Sequence, residues 1–247
     1  MEKICAGNDS FYIRYVWKEN GGKHTALNAS HPYIRGKYVV ILDSDDWLTD
    51  DAIAVVCEGW NKYKDDASVA MVTFAKRKSN GEICAYAKDE HVPTDILRYK
   101  RTRVSSSDCC EVLRTELFLK YPFPVYDGER FLAETALWYR VGLEGSCIYI
   151  NKIIYICEYI KGGLTDSGRA MRMKNPQGGM YTSYLRMNRR CFFKERVKAT
   201  LLYVCYGRAA SYTALKIIKK AKPYRFEVLL GIIPGTVLFK KWNKEYL

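Results

Sequence analysis

Three segments of the 247-residue chain hold residue types whose spacing can do chemistry. Asp43-Ser-Asp45-Asp46 follows directly on the apolar run Lys37-Tyr-Val-Val-Ile-Leu42. Carboxylates at i and i+2 leaving a strand can converge on a hard cation, and Mg²⁺ or Mn²⁺ held this way keeps open positions for phosphate oxygens. A solvated acidic turn capping the next helix has the same composition, and the apolar strand ahead favours the metal. Asn20-Gly-Gly-Lys-His-Thr-Ala-Leu-Asn28 opens on a glycine pair, where free amides and Lys23 can meet a phosphate. A plain helix start, with Ala26 packing and Asn28 bonding locally, is the alternative. Gly128-Glu-Arg-Phe-Leu-Ala-Glu-Thr-Ala-Leu-Trp-Tyr-Arg140 puts Trp138 one helical turn after Glu134. That is a general base beside a sugar-stacking ring, or an exposed Glu paired with Arg130 next to a core Trp.

These residues need elements to position them. Lys37–Leu42 is continuously apolar and β-rich, which predicts a buried central strand with Asp43 to Asp46 at its C-terminal edge, where ligands bind in α/β sheets. Thr49 or Asp50 can cap a following helix with Ile53, Val56, Cys57 and Trp60 on its apolar face, ended by Asp65-Asp66. Val69–Phe74 is a second strand, and Ser79-Asn-Gly81 a tight turn into a third, Glu82–Tyr86. Cys110–Thr115, Cys147–Ile150 and Ile153–Glu158 are further strands. Gly128 to Val141 is a helix with Phe131, Ala133, Ala136, Leu137 and Val141 inward. From Met171 onward the pattern is of several amphipathic helices, and a boundary near residue 165 divides an α/β domain, 1–165, from a helical region, 166–247.

In this order, Asn20 through Asn28, Tyr38 through Trp47, and Ala133-Glu134 through Trp138 and Arg140 resemble family-2 glycosyltransferases of the GT-A fold, the bacterial capsular and cell-surface polysaccharide type. The resemblance covers about residues 15–165. It implies a GT-A-like mixed sheet flanked by helices and inverting, metal-dependent transfer of a sugar from a nucleotide-sugar, usually UDP-linked, to a hydroxyl of a glycan or lipid-linked acceptor. Asp43 and Asp45 would hold Mn²⁺ or Mg²⁺. Lys23, Asn28, Asp43, Asp45 and Asp46 would bind the donor. Glu134 would take the acceptor proton, with Glu129 as the fallback. Trp138 and Arg140 would serve the acceptor side, and Gly162-Gly-Leu-Thr-Asp-Ser167 would close over substrate. The family's usual opening strand and later V-V-D-D-G-S segment have no counterpart here, so the sheet is expected to be N-terminally incomplete, with an unpaired edge. The alternative function is an inactive piece of such an enzyme that acts, if at all, through its basic end.

That end is distinct in charge. Of 40 basic and 27 acidic residues, 18 and 3 lie from Arg169 onward, so this stretch carries +15 and the remainder −2. Apolar residues interleave with Lys216, Lys219, Lys220, Lys222, Arg225, Lys240 and Lys241, which favours an anionic membrane surface over nucleic acid as its partner. A solvated helix face is the simpler alternative. With 48% hydrophobic residues the chain buries a sizeable core, which excludes a disordered tail. Nine scattered cysteines without a C-x-x-C pair argue against a zinc site or disulfide framework. The first residues show no secretory signal, so a cytoplasmic location, peripheral on the inner face of the cell membrane, is expected. The longest apolar stretch, Val228 to Phe239, is interrupted by Gly231, Pro234 and Gly235 and falls short of a bilayer span.

Overall fold

The computed structural model describes residues 11–98, 102–103, 109–158 and 168–246. The 162–167 segment read above as a closing loop lies outside the described residues. A five-stranded mixed sheet forms the centre, in the order β1 (Tyr38–Val40), β6 (Cys109–Arg114), β3 (Val69–Lys78), β7 (Ser146–Cys157), β2 (Trp47–Leu48). β3 pairs antiparallel with β6 and parallel with β7, and the two end strands pair antiparallel with their neighbours. A separate ribbon joins β4 (Ala85–Tyr86) to β5 (Thr102–Arg103).

Val69 to Ala75 are all buried, as expected of a strand covered on both faces. On one face Val72, Phe74, Ile148 and Ile154 meet Val56 and Trp60 of α2 (Ala52–Asn61). On the other, Met71, Leu113 and Tyr149 meet Phe118 of α3 (Thr115–Lys120) and Ala136, Leu137 and Val141 of α4 (Thr135–Glu144). Leu27 of α1 (Lys23–Ser30) joins the second face. A third core lies within α5 (Gly168–Lys174), α6 (Pro176–Arg186), α7 (Phe193–Ala209), α8 (Ala214–Lys220) and α9 (Arg225–Tyr246). Tyr181 and Leu185 of α6 pack against the sheet's second face, so the C-terminal helices rest on the α/β body.

Several sequence expectations are corrected. Lys37–Leu42 does not form a central strand: only Tyr38–Val40 is strand, half-buried, at the end of the sheet. Tyr38 and Val40 reach one core and Val39 and Ile41 the other, so both faces demand apolar residues even at this edge. No strand among the described residues pairs with its outer side. Neither Thr49 nor Asp50 caps α2: the Thr49 hydroxyl donates to Asp51, and the helix begins at Ala52. Its inward face is Ala52, Val56, Gly59 and Trp60, with Ile53 and Cys57 exposed, because Phe74 and Ile150 approach the bare Cα of Gly59. The helix ends at Asn61, ahead of Asp65-Asp66. Cys147–Ile150 and Ile153–Glu158 are one strand, Ser146–Cys157, with a register break opposite Phe74 and Ala75. The 128–134 stretch is loop, and the helix starts at Thr135.

Candidate active site

The acidic turn is organised by one phenol. Behind β1 the backbone turns, with Asp46 N–H donating to the Asp43 carbonyl at 3.2 Å, and β2 carries the chain back along β7. The Tyr155 hydroxyl on β7 accepts from Asp43 N–H at 3.1 Å and donates to Asp46 Oδ2 at 2.6 Å. Asp46 Oδ1 takes the Glu158 N–H at 3.0 Å. Burial first, and the Asp46 hydrogen bond and carboxylate charges after it, hold the phenol well above the usual tyrosine range, against the Asp43 N–H that favours its ionised form. It therefore remains a donor to Asp46. Both Asp46 oxygens are committed to the fold. Asp45 is exposed and makes no hydrogen bond or ion pair with a described residue.

Lys23, in the first turn of α1, brings two of the three sequence segments together. Its ammonium pairs with Asp43 Oδ1 and stands 2.6 Å from Glu134 Oε1. Burial works to lower this lysine, and the Glu134 and Asp43 carboxylates outweigh it, holding Lys23 above its ordinary value. Glu134 thus pairs with Lys23 and not with Arg130, since residues 130–134 are not helical. The close approach has a backbone cause. Gly22 has φ +89, and a Cβ there would fall 2.6 Å from the Arg130 carbonyl carbon, so only glycine lets the α1 entry touch the 129–131 loop.

That loop is stapled from its other side. Glu129, read as the fallback base, is buried, and its two carboxylate oxygens accept the N–H groups of Gln177 (2.7 Å) and Gly178 (2.8 Å) in the first turn of α6. It is a helix cap with no free oxygen for proton transfer. Asn175 Oδ1 accepts from Arg130 N–H (2.7 Å) and Phe131 N–H (3.1 Å). Sequence reasoning missed this asparagine, although Asn175-Pro176 is a visible helix-start signal.

The other named residues lie around this centre. Asn28 spends its side-chain amide on the backbone of Phe123, giving and taking a hydrogen bond at 2.8 Å each. Trp138 is half-buried against the second core. Arg140 donates to the Pro122 carbonyl at 2.8 Å, and its guanidinium lies 4.5 Å from the centroid of the Tyr121 ring. A groove of about 490 Å³ lies elsewhere, between residues 12–18 and α1, and holds none of these carboxylates.

Among the described residues no three His, Cys, Asp or Glu side chains gather as a preformed metal cage. The donor set nonetheless suits a hard cation that takes its other ligands from a diphosphate: Asp45 is free, and Asp43 has a second oxygen outside its bond to Lys23.

The glycosyl transferase family 2 model matches residues 1–115. The match covers a little under half of the chain, which is thus similar to glycosyl transferase family 2 over its N-terminal part. Over 147 residues, 58% of the chain, it is 27% identical to the chondroitin synthase of Pasteurella multocida (strain Pm70) and 26% identical to that of Escherichia coli. The hyaluronan synthase of Pasteurella multocida matches at 27%. The match spans 14% of the Pasteurella proteins and 20% of the E. coli one. In fold, the chain is similar to S. aureus TarS 1-349, with TM-score 0.54 and 14% identity, covering 91% of this chain and 63% of that one. A TarS structure in complex with UDP aligns at TM-score 0.50 and 12% identity, covering 95% and 75%. The architecture is GT-A-like, a mixed sheet flanked by helices.

Proposed function

We propose that this chain is a glycosyltransferase that moves a sugar from a UDP-linked donor to a hydroxyl of a growing glycan or a lipid-linked acceptor, with inversion at the anomeric carbon. The observation that carries the reading is the pairing of Lys23 with both Asp43 and Glu134, one carboxylate from the acidic turn and one from the α4 entry. A cation at one point between two carboxylates marks where a polyanion and a hydroxyl can be handled side by side. UDP in the TarS complex, and the polysaccharide synthases among the relatives, support the donor and acceptor classes.

Asp45 and the free oxygen of Asp43 would hold Mn²⁺ or Mg²⁺, which supplies charge neutralisation on the departing diphosphate. Lys23 would hold the diphosphate beside it. Glu134 would accept the acceptor's proton as the acceptor oxygen bonds to the anomeric carbon and the bond to the UDP oxygen breaks, the electron pair leaving with UDP. Asp46 would act through the turn it fixes, Asn28 through Phe123, and Trp138 and Arg140 would shape the acceptor side. The basic helices would keep the enzyme peripheral on the inner face of the membrane. No helix among the described residues is long and apolar enough to cross one.

Calorimetric titration with UDP, with and without Mn²⁺, tests the donor site. Metal-dependent binding that Asp45→Ala abolishes is the expected result. Glu134→Gln is expected to bind UDP as the parent does and to lose transfer by roughly 10²–10⁴-fold. Normal transfer by either variant would sink its assignment.

A further inference from the structure

The last helix presents an apolar face to solvent. Phe226, Leu229, Leu230, Ile233 and Val237 of α9 are 69, 56, 65, 77 and 62% exposed. They recur at i, i+3, i+4, i+7 and i+11, one continuous stripe on a helix. The opposite side is the packed one: Val228, Gly231 and Gly235 are buried, and the two glycines let Thr200 and Val204 of α7 approach closely. The stripe is therefore not core material left over from helix packing.

The residues beyond the stripe, in the same register, decide the partner. Lys240, Lys241 and Lys244 fall at i+14, i+15 and i+18, on the same face and exposed, so apolar surface and cations share one line roughly 27 Å long. Neither carboxylate of α9 falls in this register, and Glu227 is engaged with Arg196 at 3.5 Å. Arg225 and Lys222 stand exposed at the other end. A second copy fits poorly, because parallel pairing sets lysine on lysine and antiparallel pairing sets the lysines near Arg225. A surface that accepts apolar side chains beneath a layer of negative charge fits both halves of the face.

We propose that the exposed face of α9 is the docking surface for an anionic lipid bilayer, with the apolar stripe lying in the headgroup–acyl boundary and the three lysines on lipid phosphates. This rests on the reading of the basic end as membrane-facing and assigns it to one face of one helix. The test is sedimentation of the full chain with vesicles of phosphatidylcholine alone and of phosphatidylcholine mixed with phosphatidylglycerol. The chain is expected on the mixed vesicles and not on the neutral ones. Leu230→Ser and Ile233→Ser are each expected to weaken binding about tenfold. Lys240→Gln, Lys241→Gln and Lys244→Gln combined are expected to weaken it about a hundredfold, near fivefold each. Thermal midpoints and UDP binding of these variants should stay at the parent values, since the altered side chains are exposed and outside the site. If every variant bound as the parent does, the face assignment would be overturned while the basic end remained membrane-facing. If nothing bound the mixed vesicles, both would be overturned. A concentration-dependent dimer abolished by Ile233→Ser, without vesicle binding, would replace the bilayer by a second copy.

Discussion

Gly22→Ala is the sharpest perturbation of the site, because it adds one carbon and removes no functional group. Two costs arise. An L side chain at φ 89, ψ 159, a region open essentially to glycine alone, costs roughly 1–3 kcal/mol in backbone strain. The new Cβ would also lie 2.6 Å from the Arg130 carbonyl carbon. Carbon atoms sit comfortably at about 3.5–4.0 Å and the Arg130 carbonyl oxygen lies nearer still, so the α1 entry and the 129–131 loop must separate by at least about 1 Å. The loop cannot yield freely, held as it is by Asn175 and Glu129. The separation therefore opens the contact between Lys23 and Glu134. A displacement of this size at reacting groups costs roughly 100-fold in rate. Gly81→Ala is the comparison, a positive-φ glycine at φ +91 with nothing within 4 Å of the added carbon, so it carries backbone strain without a clash. Transfer assays and thermal melts on both variants separate the effects: Gly22→Ala should lose about 100-fold in transfer and melt several degrees below Gly81→Ala. Equal melting points with unimpaired transfer would refute the claim that this glycine sets the Lys23–Glu134 geometry.

Glu129→Gln keeps one of the two acceptors at the α6 terminus and should cost about 2 kcal/mol, lowering the thermal midpoint by roughly 4–8 °C; a loss of transfer at unchanged stability would instead mark Glu129 as a proton acceptor. Asn28→Ala removes both hydrogen bonds to Phe123 and should cost about 2 kcal/mol in chemical denaturation while leaving UDP affinity unchanged. Buried His24 is held below the ordinary histidine pKa by burial and then by the Lys18 charge, so the unfolded chain takes up the proton first as pH falls through about 6.5. Stability should accordingly fall on acidification from neutral toward pH 5.5, and His24→Gln should flatten that slope in melts across the range.

The strands were legible in the sequence where apolar residues ran together, as in Val69–Phe74, and the turn at Gly81 was legible because that residue sits at positive φ, although the strand expected after it, Glu82–Tyr86, is only Ala85–Tyr86. Elements whose shape is imposed from outside were not legible. Arg130-Phe-Leu-Ala-Glu134 is good helix-forming sequence, yet it is loop because Asn175 and Gly22 engage its backbone from 45 residues downstream and 108 upstream. Local propensity of a few tenths of a kcal/mol per residue loses to such contacts. Tyr38–Val40 met the composition of a central strand because both faces are covered, and composition carries no count of neighbours. The candidate site was legible as three segments and not as a constellation. The sequence motif treats Asp43, Asp45 and Asp46 alike, whereas Tyr155 takes Asp46 into the fold, Lys23 takes one oxygen of Asp43, and Asp45 is left to solvent.

The same contacts bear on the relation between the two halves of the chain. Glu134 is carried by a loop whose fixed points are Gly22 on one side and Asn175, Gln177 and Gly178 on the other, so the α6 terminus is part of what holds the candidate base in place. Gly178 makes the point in a single atom: a Cβ there would lie 2.7 Å from the Phe131 carbonyl oxygen. Tyr212, beyond α7, donates to the Gln177 side chain at 2.7 Å, and Arg190 pairs with Asp95 at 3.1 Å. Buried charge-assisted hydrogen bonds such as those of Glu129 are strong because the carboxylate has no water to return to when a partner leaves. A disturbance confined to the C-terminal helices should therefore reach transfer through the position of Glu134 before it reaches donor binding, because Asp43 and Asp46 are held by Lys23 and Tyr155, neither of which lies in those helices. Gly178→Ala is the direct form of that perturbation, and the kcat for transfer should fall while UDP affinity holds; a fall in UDP affinity of the same size would show that the C-terminal helices support the acidic turn as well.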